Sequence, residues 1–277
     1  MIKIICDSIS DLPINILNKY DIDVVPLTVL FNDTEYLDGE NLTSDTFYKM
    51  LRETNSMPKT SQATYAQFKS VFEKYSNENT EVLYIAGSSS ASGTYQSAVL
   101  AKNDGHDNVT IFDTQSVSIG SALFVIKACE MVADGKTLKE VLNYLEYIKG
   151  TEEVVFSVDN LEYLKMGGRI SSTKATLGNL LSIKPILEVK DGLVAQKSQV
   201  RGKKQIYSTL VNLISSKYGK DLKDKTIIIG CGDNKSDLDI MKDLLLKDTI
   251  VDNLYFVNIG CVVCSHSGPG IVGISCV

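Results

Sequence analysis

The segment EVLYIAGSSSASGTYQSAVLAK, residues 81–102, contains a strand, a polar loop and a helix in succession, and this order decides the fold. Its first six residues form a short apolar run that predicts a buried strand ending at Gly87. Four serines follow within five positions, and a helical pattern then runs from Ser92 to Lys102. The Ser92 hydroxyl is in place to cap that helix. A strand, a loop and a helix in this order predict one unit of an α/β sheet.

Strands and helices alternate along the whole first half of the chain. Further short apolar strands are predicted at IKIICDS (2–8) and NVTIFDT (108–114). Helical patterns are predicted at residues 43–54, 64–76, 118–135 and 137–150, the first of them capped by Thr43 or Ser44. The stretch 23–39 is predicted as extended structure with a turn. This alternation predicts a parallel, doubly wound sheet.

The pattern changes near residue 150. EEVVFSV predicts a strand, and residues 160–172 predict a helix broken by two glycines. The stretch 184–201 predicts a β-hairpin with its turn at Asp191–Gly192. Helix, strand, helix and strand patterns follow at 203–219, 225–232, 236–248 and 253–260. A hairpin inside an otherwise alternating half predicts a mixed sheet.

The length of 277 residues fits two domains of ordinary size. We place the boundary near residues 149–152, where the pattern changes. The prediction is therefore an α/β protein with an N-terminal domain, residues 1–150, built on a doubly wound parallel sheet. The C-terminal domain, residues 151–277, is predicted to contain the mixed α/β sheet.

Composition and charge exclude several classes of function. The net charge of −6 argues against a nucleic-acid partner, which would favour a basic surplus. The apolar tail 259–277 contains Pro269 and four glycines, which disfavour a membrane-spanning helix. Asp7 interrupts the N-terminal apolar run too early for a signal peptide, so we expect a cytoplasmic protein.

The six cysteines lie in apolar runs rather than in a spaced framework, which predicts buried thiols and no disulfides. Cys261 and Cys264 have the spacing of zinc ligands, but a second ligand pair is missing, so no metal site is predicted. Asp7 and Asp11 follow the first strand and could hold Mg²⁺. The capping of a following helix, with Pro13 in its first turn, is the favoured interpretation of this pair.

The serine-rich loop is open to three interpretations. GSSSA nearly matches the nucleophile-elbow pattern centred on Ser89, and Asp113 or Asp159 with His266 could complete a hydrolase triad. A phosphate loop is disfavoured because the required lysine is absent. The third interpretation is an anion site, since a helix start supplies free amides and a favourable dipole.

Three other segments offer groups suited to an anion. Thr60 and Ser61 stand just before an amphipathic helix, where capping is the alternative role. Arg169 follows two glycines and carries a forked donor that suits a carboxylate. His266 precedes the turn SGPG and could donate to an anion or accept a proton.

Eight segments in order resemble the DegV family. They are DSISDLP, PKTSQAT, SSSASGTYQSA, DTQSVSIG, LEYLKMGGRIS, LLSIKPIL, QVRGKKQ and HSGPG, and they extend from Asp7 to Gly270. The resemblance implies a two-domain α/β protein that binds one long-chain fatty acid without a cofactor and is not itself an enzyme. A separate ATP-dependent kinase would convert the bound acid to an acyl phosphate for phospholipid synthesis, and lipid would be exchanged in transient contact with a membrane.

The resemblance also implies which residues bind the carboxylate. By position in the matching segments these are Thr60, Ser61, Ser92, Gly93, Arg169 and His266. Arg201, in QVRGKKQ, matches a basic position linked either to the carboxylate or to the kinase. The chain departs from the family pattern at Ala91, at Ala63–Thr64 and at Met166. These departures leave the carboxylate groups intact but affect positions that could alter chain-length preference or partner contacts.

Overall fold

The computed structural model describes residues 1–54, 57–76, 79–159, 161–171 and 183–277. Its strands are β1 (Ile2–Asp7), β2 (Asp23–Val25), β3 (Thr28–Phe31), β4 (Thr34–Leu37), β5 (Lys59–Ser61), β6 (Glu81–Ala86), β7 (Val109–Asp113), β8 (Glu153–Ser157), β9 (Ile183–Lys190), β10 (Leu193–Arg201), β11 (Thr226–Cys231), β12 (Asn253–Asn258) and β13 (Val272–Cys276). Its helices are α1 (Ile14–Tyr20), α2 (Ser44–Glu53), α3 (Tyr65–Glu73), α4 (Thr94–Lys102), α5 (Ile119–Ala133), α6 (Leu138–Ile148), α7 (Glu162–Gly167), α8 (Lys203–Tyr218), α9 (Ser236–Asp248) and α10 (Cys261–Ser267).

The predicted parallel sheet is confirmed, with four strands in the order β2-β1-β6-β7 and every neighbouring pair parallel. Helices cover both of its faces. Tyr84 of β6 packs against Phe68 of α3, whereas Phe112 of β7 packs against Phe124 of α5. Tyr84 pairs with Ile111, so Tyr84 and Phe112 point to opposite faces. The sheet is therefore doubly wound, and its apolar strands are buried between two helix layers.

The predicted mixed sheet is also confirmed, with the order β10-β9-β8-β13-β11-β12. Its β11–β12 pair is parallel and its other pairs are antiparallel. The hairpin turns at Asp191 and Gly192, whose φ angles of 52° and 80° suit the left-handed positions of a tight turn. Strand β13, which the sequence pattern did not predict, lies between β8 and β11 in the middle of this sheet.

Helix α5 lies between the two sheets and packs on β1 and β6 of one and on β11 and β13 of the other. Its side chains are apolar around most of its circumference, as expected for a helix buried on all sides. One apolar cluster consequently extends across both sheets, from Ile4 to Val277. The domain boundary at 149–152 stays a prediction, although the strands of the parallel sheet precede it and those of the mixed sheet follow it.

The stretch 23–39 is extended and contains turns, as predicted, with β2 in the parallel sheet and β3 and β4 in a separate antiparallel sheet with β5. One local prediction needs correction. The helix predicted at 160–172 is shorter, since α7 ends where Gly168 adopts a φ of 68°. Residues 160 and 172, and the first three residues of the segment LLSIKPIL, lie outside the described residues. Within the described ranges, no helix is both long and apolar enough to cross a membrane.

Candidate functional site

A cavity of about 340 Å³ lies between the mixed sheet, strand β5 of the small sheet and the loops that follow β1, β6 and β7. Six of the seven predicted binding residues line it, namely Thr60, Ser61, Ser92, Gly93, Arg169 and His266. The rest of its wall is mainly apolar. The apolar lining residues are Ile9, Leu27, Ala91, Val117, Ile119, Val154, Phe156, Leu164, Val189, Leu193, Val194, Ile259, Val262, Val263 and Ile271. A largely apolar cavity with one group of convergent polar side chains is the usual form of a small-molecule site.

The serine-rich loop is fixed at its start by hydrogen bonds of Gly87 and Ser88. The buried Asp7 carboxylate accepts hydrogen bonds from the Gly87 amide at 2.9 Å and from the Tyr84 hydroxyl at 2.6 Å. The Ser88 hydroxyl donates to the carbonyl of Gly192, which belongs to the hairpin turn of the mixed sheet, at 2.7 Å. The loop therefore ties the parallel sheet to the tip of the β9–β10 hairpin, and both segments line the same cavity.

The helix after this loop begins two residues later than predicted. Gly93 is the N-cap and Thr94 is the first helical residue. The Ser92 hydroxyl nevertheless accepts a hydrogen bond from the Thr94 amide at 3.2 Å. A Cβ atom at Gly93 would lie 1.9 Å from Oε1 of Gln62, so any side chain there would displace the Gln62 amide from its present position.

The structure does not assemble the triad that the elbow-like sequence suggested. The Ser89 hydroxyl donates to the Asp113 carboxylate at 2.6 Å, and Ser89 is not a lining residue of the cavity. His266 instead lies 2.8 Å from the Thr60 hydroxyl. A serine nucleophile needs the histidine within hydrogen-bonding reach, and here each group is paired elsewhere.

Strand β5 and helix α10 bring Thr60 and His266 together. Thr60 pairs with Val29 of β3, which holds β5 against the small sheet, and Nε2 of His266 lies 2.8 Å from Oγ1 of Thr60. Burial and the positive charge of Arg169 lower the pKa of His266 to about 4. The imidazole is therefore neutral at physiological pH and acts through hydrogen bonds rather than as a cation.

The depressed pKa of His266 predicts a loss of stability in mild acid. The pKa in the folded state lies below the ordinary value of 6.5, so the stabilisation is present above 6.5 and is lost as the pH falls through about 4. Between about pH 7 and pH 5 this group should cost the ligand-free protein about 2 kcal/mol of unfolding free energy.

Urea denaturation of wild-type protein and of His266→Gln at both pH values measures this contribution. The variant should lose less stability on acidification, and His106, present in both proteins, cancels in the comparison. An equal loss in both proteins would show that His266 is not protonated on unfolding as inferred.

Arg169 brings a positive charge to the cavity. It follows Gly168, whose left-handed conformation ends α7 and turns the chain. Its Nε donates to the Ala91 carbonyl at 3.0 Å, and its Nη1 donates to the carbonyl of Gly167. Among the described lining residues, Arg169 is the one with a charged side chain at neutral pH. The site therefore suits a ligand with one negative charge and a large apolar part.

The structure does not bring Arg201 into this site. It is exposed at the end of β10, and its backbone amide donates to the Gln205 side chain. It lies eight positions along the strand from Leu193 at the cavity, a span of roughly 26 Å. Of the two roles implied for Arg201, contact with the ligand carboxylate is therefore disfavoured by its position.

Gln62 and the apolar wall were not predicted as site residues. Nε2 of Gln62 donates to the Ser97 hydroxyl at 2.9 Å, so this side chain connects β5 to α4 beside the cavity. Its place within the quoted segment PKTSQAT was the available signal. The apolar wall had no such signal, because cavity-lining and core residues have the same composition.

Asp7, at the end of β1, and Asp11 both accept hydrogen bonds from other parts of the chain. Asp7 caps the 3-10 turn at Ser8–Ser10 by accepting from the Ile9 amide. Asp11 does not cap α1, whose N-cap is Pro13, but accepts from the Gly260 amide at 2.9 Å and from Ser118. Burial raises the pKa of both carboxyl groups. These contacts favour structural roles for the pair over Mg²⁺ coordination.

The six cysteines are free and buried, as predicted. Cys261 and Cys264 lie on α10, and the sulfur of Cys264 is 2.7 Å from the Tyr48 hydroxyl. Burial raises the pKa of both thiols, so neither is activated as a thiolate ligand or nucleophile. Within the described part of the chain, no group of three or more histidine, cysteine or acidic side chains is arranged to hold a metal ion.

The fold and the site together define an α/β protein with a parallel and a mixed sheet and an internal cavity of amphipathic lining. The sequence matches the DegV family, described as uncharacterised proteins, over residues 1–277. The chain belongs to the DegV family.

Relatives in this family include proteins described by a ligand. A protein of Thermotoga maritima named fatty acid-binding protein is 34% identical, over 98% of this chain and 96% of its own. A fatty-acid-binding DegV family structure from Thermus thermophilus matches with a TM-score of 0.90 and 33% identity, covering 99% of this chain and 98% of that one. A stearic acid-binding protein from Eubacterium ventriosum matches with a TM-score of 0.90 and 28% identity, covering 100% and 98%.

Proposed function

We propose that this protein binds one long-chain fatty acid in the cavity, with the carboxylate at Arg169, His266, Thr60, Ser61, Ser92 and Gly93. The observation that supports this most strongly is the distribution of charge in the lining. Among the lining residues that the structure describes, Arg169 is the single cation, several others carry hydroxyl groups, and the remaining wall is largely apolar. The ligand descriptions of the similar proteins support the same class of ligand.

The carboxylate and the acyl chain of the ligand are expected to make different contributions to the binding free energy. A hydrogen bond to the charged carboxylate contributes about 1.5–3 kcal/mol. Each buried methylene contributes about 0.8 kcal/mol, so the acyl chain supplies most of the affinity and the polar end supplies orientation. Neutral His266 fits this arrangement, because it can donate a hydrogen bond without adding a second buried charge.

A comparison of two ligands with the same chain tests this division. Delipidated protein is titrated with palmitate and with hexadecanol, which has the same number of carbons and no carboxylate. Palmitate should bind more tightly by at least about tenfold, the value of one charge-assisted hydrogen bond. Equal affinities would contradict a carboxylate site, and displacement of palmitate by equimolar acetate or phosphate would favour a small-anion binder instead.

We further propose that the protein presents the bound carboxylate to a separate kinase. One carboxylate oxygen would attack the γ-phosphorus of ATP, ADP would leave, and the acyl phosphate would feed phospholipid synthesis. The protein would act in the cytoplasm as a carrier rather than as an enzyme, and would exchange lipid during transient contact with a membrane. The support for these steps is the resemblance of the ordered sequence segments and the exposed position of Arg201.

Arg201→Ala tests whether this arginine serves the ligand or the partner. Because Arg201 lies outside the cavity, the variant should retain fatty acid like the wild type and support acyl-phosphate formation less well with a kinase partner. Lys223→Ala removes an exposed positive charge elsewhere and is the matched control. Loss of fatty-acid retention in Arg201→Ala but not in Lys223→Ala would show that Arg201 binds the ligand rather than the partner.

The hydrolase alternative has its own test. Purified wild type and Ser89→Ala are incubated with a p-nitrophenyl acyl ester, and release of nitrophenol is followed. We expect no turnover that depends on Ser89, because its hydroxyl is paired with Asp113. Turnover abolished by the substitution would contradict the carrier function.

A further inference from the structure

Two glycines face each other on adjacent strands of the mixed sheet. Gly230 of β11 pairs directly with Gly273 of β13. Neither has a positive φ, so space rather than backbone conformation explains the choice of glycine. Phe156, which pairs with Gly273, and Val154 lie on the same side of the sheet and line the cavity. Ile229 points to the other side, where it packs into a second apolar cluster. The pair therefore leaves a hollow in the sheet face that is directed toward the cavity.

Ile119, the first residue of α5, fills this hollow. A Cβ atom at Gly230 would lie 2.7 Å from Cγ2 of Ile119 and 3.3 Å from Cδ1 of Ile259. A Cβ atom at Gly273 would lie 3.1 Å from Cδ1 of Ile119 and 2.8 Å from Cβ of Phe156. Ile119, Ile259 and Phe156 all line the cavity. The depth of the hollow thus determines how far these side chains extend into the cavity.

We propose that the facing glycines, with Ile119 seated over them, determine the acyl-chain length that the cavity accepts. This inference rests on the proposed binding of a fatty acid. Protein interiors are packed closely enough that a single added methyl group is felt by its neighbours. A methyl group added beneath Ile119 should displace the wall inward and exclude about one methylene of the ligand. One methylene corresponds to about a fourfold change in affinity.

Gly230→Ala tests the proposal more specifically than Gly273→Ala does. The three atoms nearest to its new methyl group all belong to the side chains of Ile119 and Ile259, and both of these side chains line the cavity. The same change at Gly273 would also press on the backbone carbonyl of Val155, so it would test strain in the sheet as well. Ile119→Val provides the opposite change, because it removes the methyl group that lies over Gly273.

The experiment offers delipidated protein an equimolar mixture of myristate, palmitate, stearate and arachidate. Bound acids are then extracted and quantified by mass spectrometry. Gly230→Ala should shift the retained mixture toward shorter acids and Ile119→Val toward longer ones, each by about fourfold between neighbouring acids. In a double variant, Gly230→Ala with Ile119→Ala, the added methyl group occupies vacated space and the distribution should return toward that of the wild type.

Ile229→Val is the matched control, since it removes one methyl group from the same strand on the face away from the cavity. If Gly230→Ala and Ile119→Val retain fatty acids with the same length distribution as this control, the inference on chain length is wrong, while the proposed binding of fatty acid stands. A wild-type protein that retains none of the four acids would overturn the proposed function and this inference with it.

Discussion

Replacement of Arg169 by methionine is expected to weaken fatty-acid binding by about 10- to 150-fold. The guanidinium is the charged group among the described lining residues, and a hydrogen bond to an ionised group is worth about 1.5–3 kcal/mol. The carboxylate would remain in a half-buried site, with no arginine or lysine among the described lining residues to compensate its charge. The dissociation constant of palmitate for delipidated protein measures the effect.

Two further variants test whether the loss of affinity is specific to the guanidinium of Arg169. Lys165→Met removes an exposed cation from α7, the helix that precedes Arg169, and should leave the affinity unchanged. Arg169→Lys keeps the charge but loses the forked donor that also bonds Ala91 and Gly167, so an intermediate affinity is expected. Wild-type affinity in Arg169→Met, with the fold intact by circular dichroism, would show that the carboxylate does not bind there.

Replacement of Asp7 by alanine is expected to cost about 3–4 kcal/mol of unfolding free energy. The Asp7 side chain is buried, and it accepts hydrogen bonds from Ile9, Tyr84 and Gly87. Removal of the carboxylate leaves three buried donors without their partner, and each unsatisfied donor costs about 1–3 kcal/mol before local relaxation. Urea denaturation of the delipidated protein gives the difference in unfolding free energy.

The same change should also affect the cavity, because the Gly87 bond fixes the start of the loop that carries Ser92 and Gly93. Tyr84→Phe removes only one of the three bonds and should cost about 1 kcal/mol without loss of fatty-acid retention. A loss of less than about 1 kcal/mol in Asp7→Ala would contradict the structural role of the carboxylate. Full retention of fatty acid in Asp7→Ala would show that the position of this loop does not affect fatty-acid binding.

Regular elements with strong local signals were predictable from the sequence. The strand–loop–helix unit at residues 81–102 combines an apolar run with a helical pattern, and the Asp-Gly turn predicts its hairpin directly. The helix start at Thr94 was missed by two residues because Ser92 is a favoured capping type, whereas the observed N-cap is Gly93. Local propensity identified the elements, and tertiary contacts fixed their ends.

The C-terminal elements show what local pattern cannot supply. Helix α10 has seven residues and no side-chain cap, so nothing in its sequence distinguishes it from a loop. Strand β13 contains Gly273, which weakens a strand pattern. The structure explains this glycine by the space that Phe156 and Ile119 require, a constraint from distant parts of the chain.

The polar part of the site could be predicted from the sequence, whereas its apolar part could not. Thr60, Ser92, Arg169 and His266 were identifiable because hydroxyl groups, a cation and a histidine near chain turns are suited to anions. Their convergence depends on the packing of β5, α7 and α10, and the position of Arg201 outside the cavity follows from the length of β10. The apolar wall has the composition of ordinary core, so only the packing of the two sheets distinguishes a cavity from a filled interior.

Extraction of the purified protein tests the central claim most directly. The protein is purified without added lipid and extracted with organic solvent, and the extract is quantified by mass spectrometry against protein concentration. Delipidated protein is then exposed to palmitate, separated from free ligand and extracted again. We expect about one long-chain fatty acid per chain after purification or after this reloading. The absence of stoichiometric fatty acid in both extracts would contradict the proposed function.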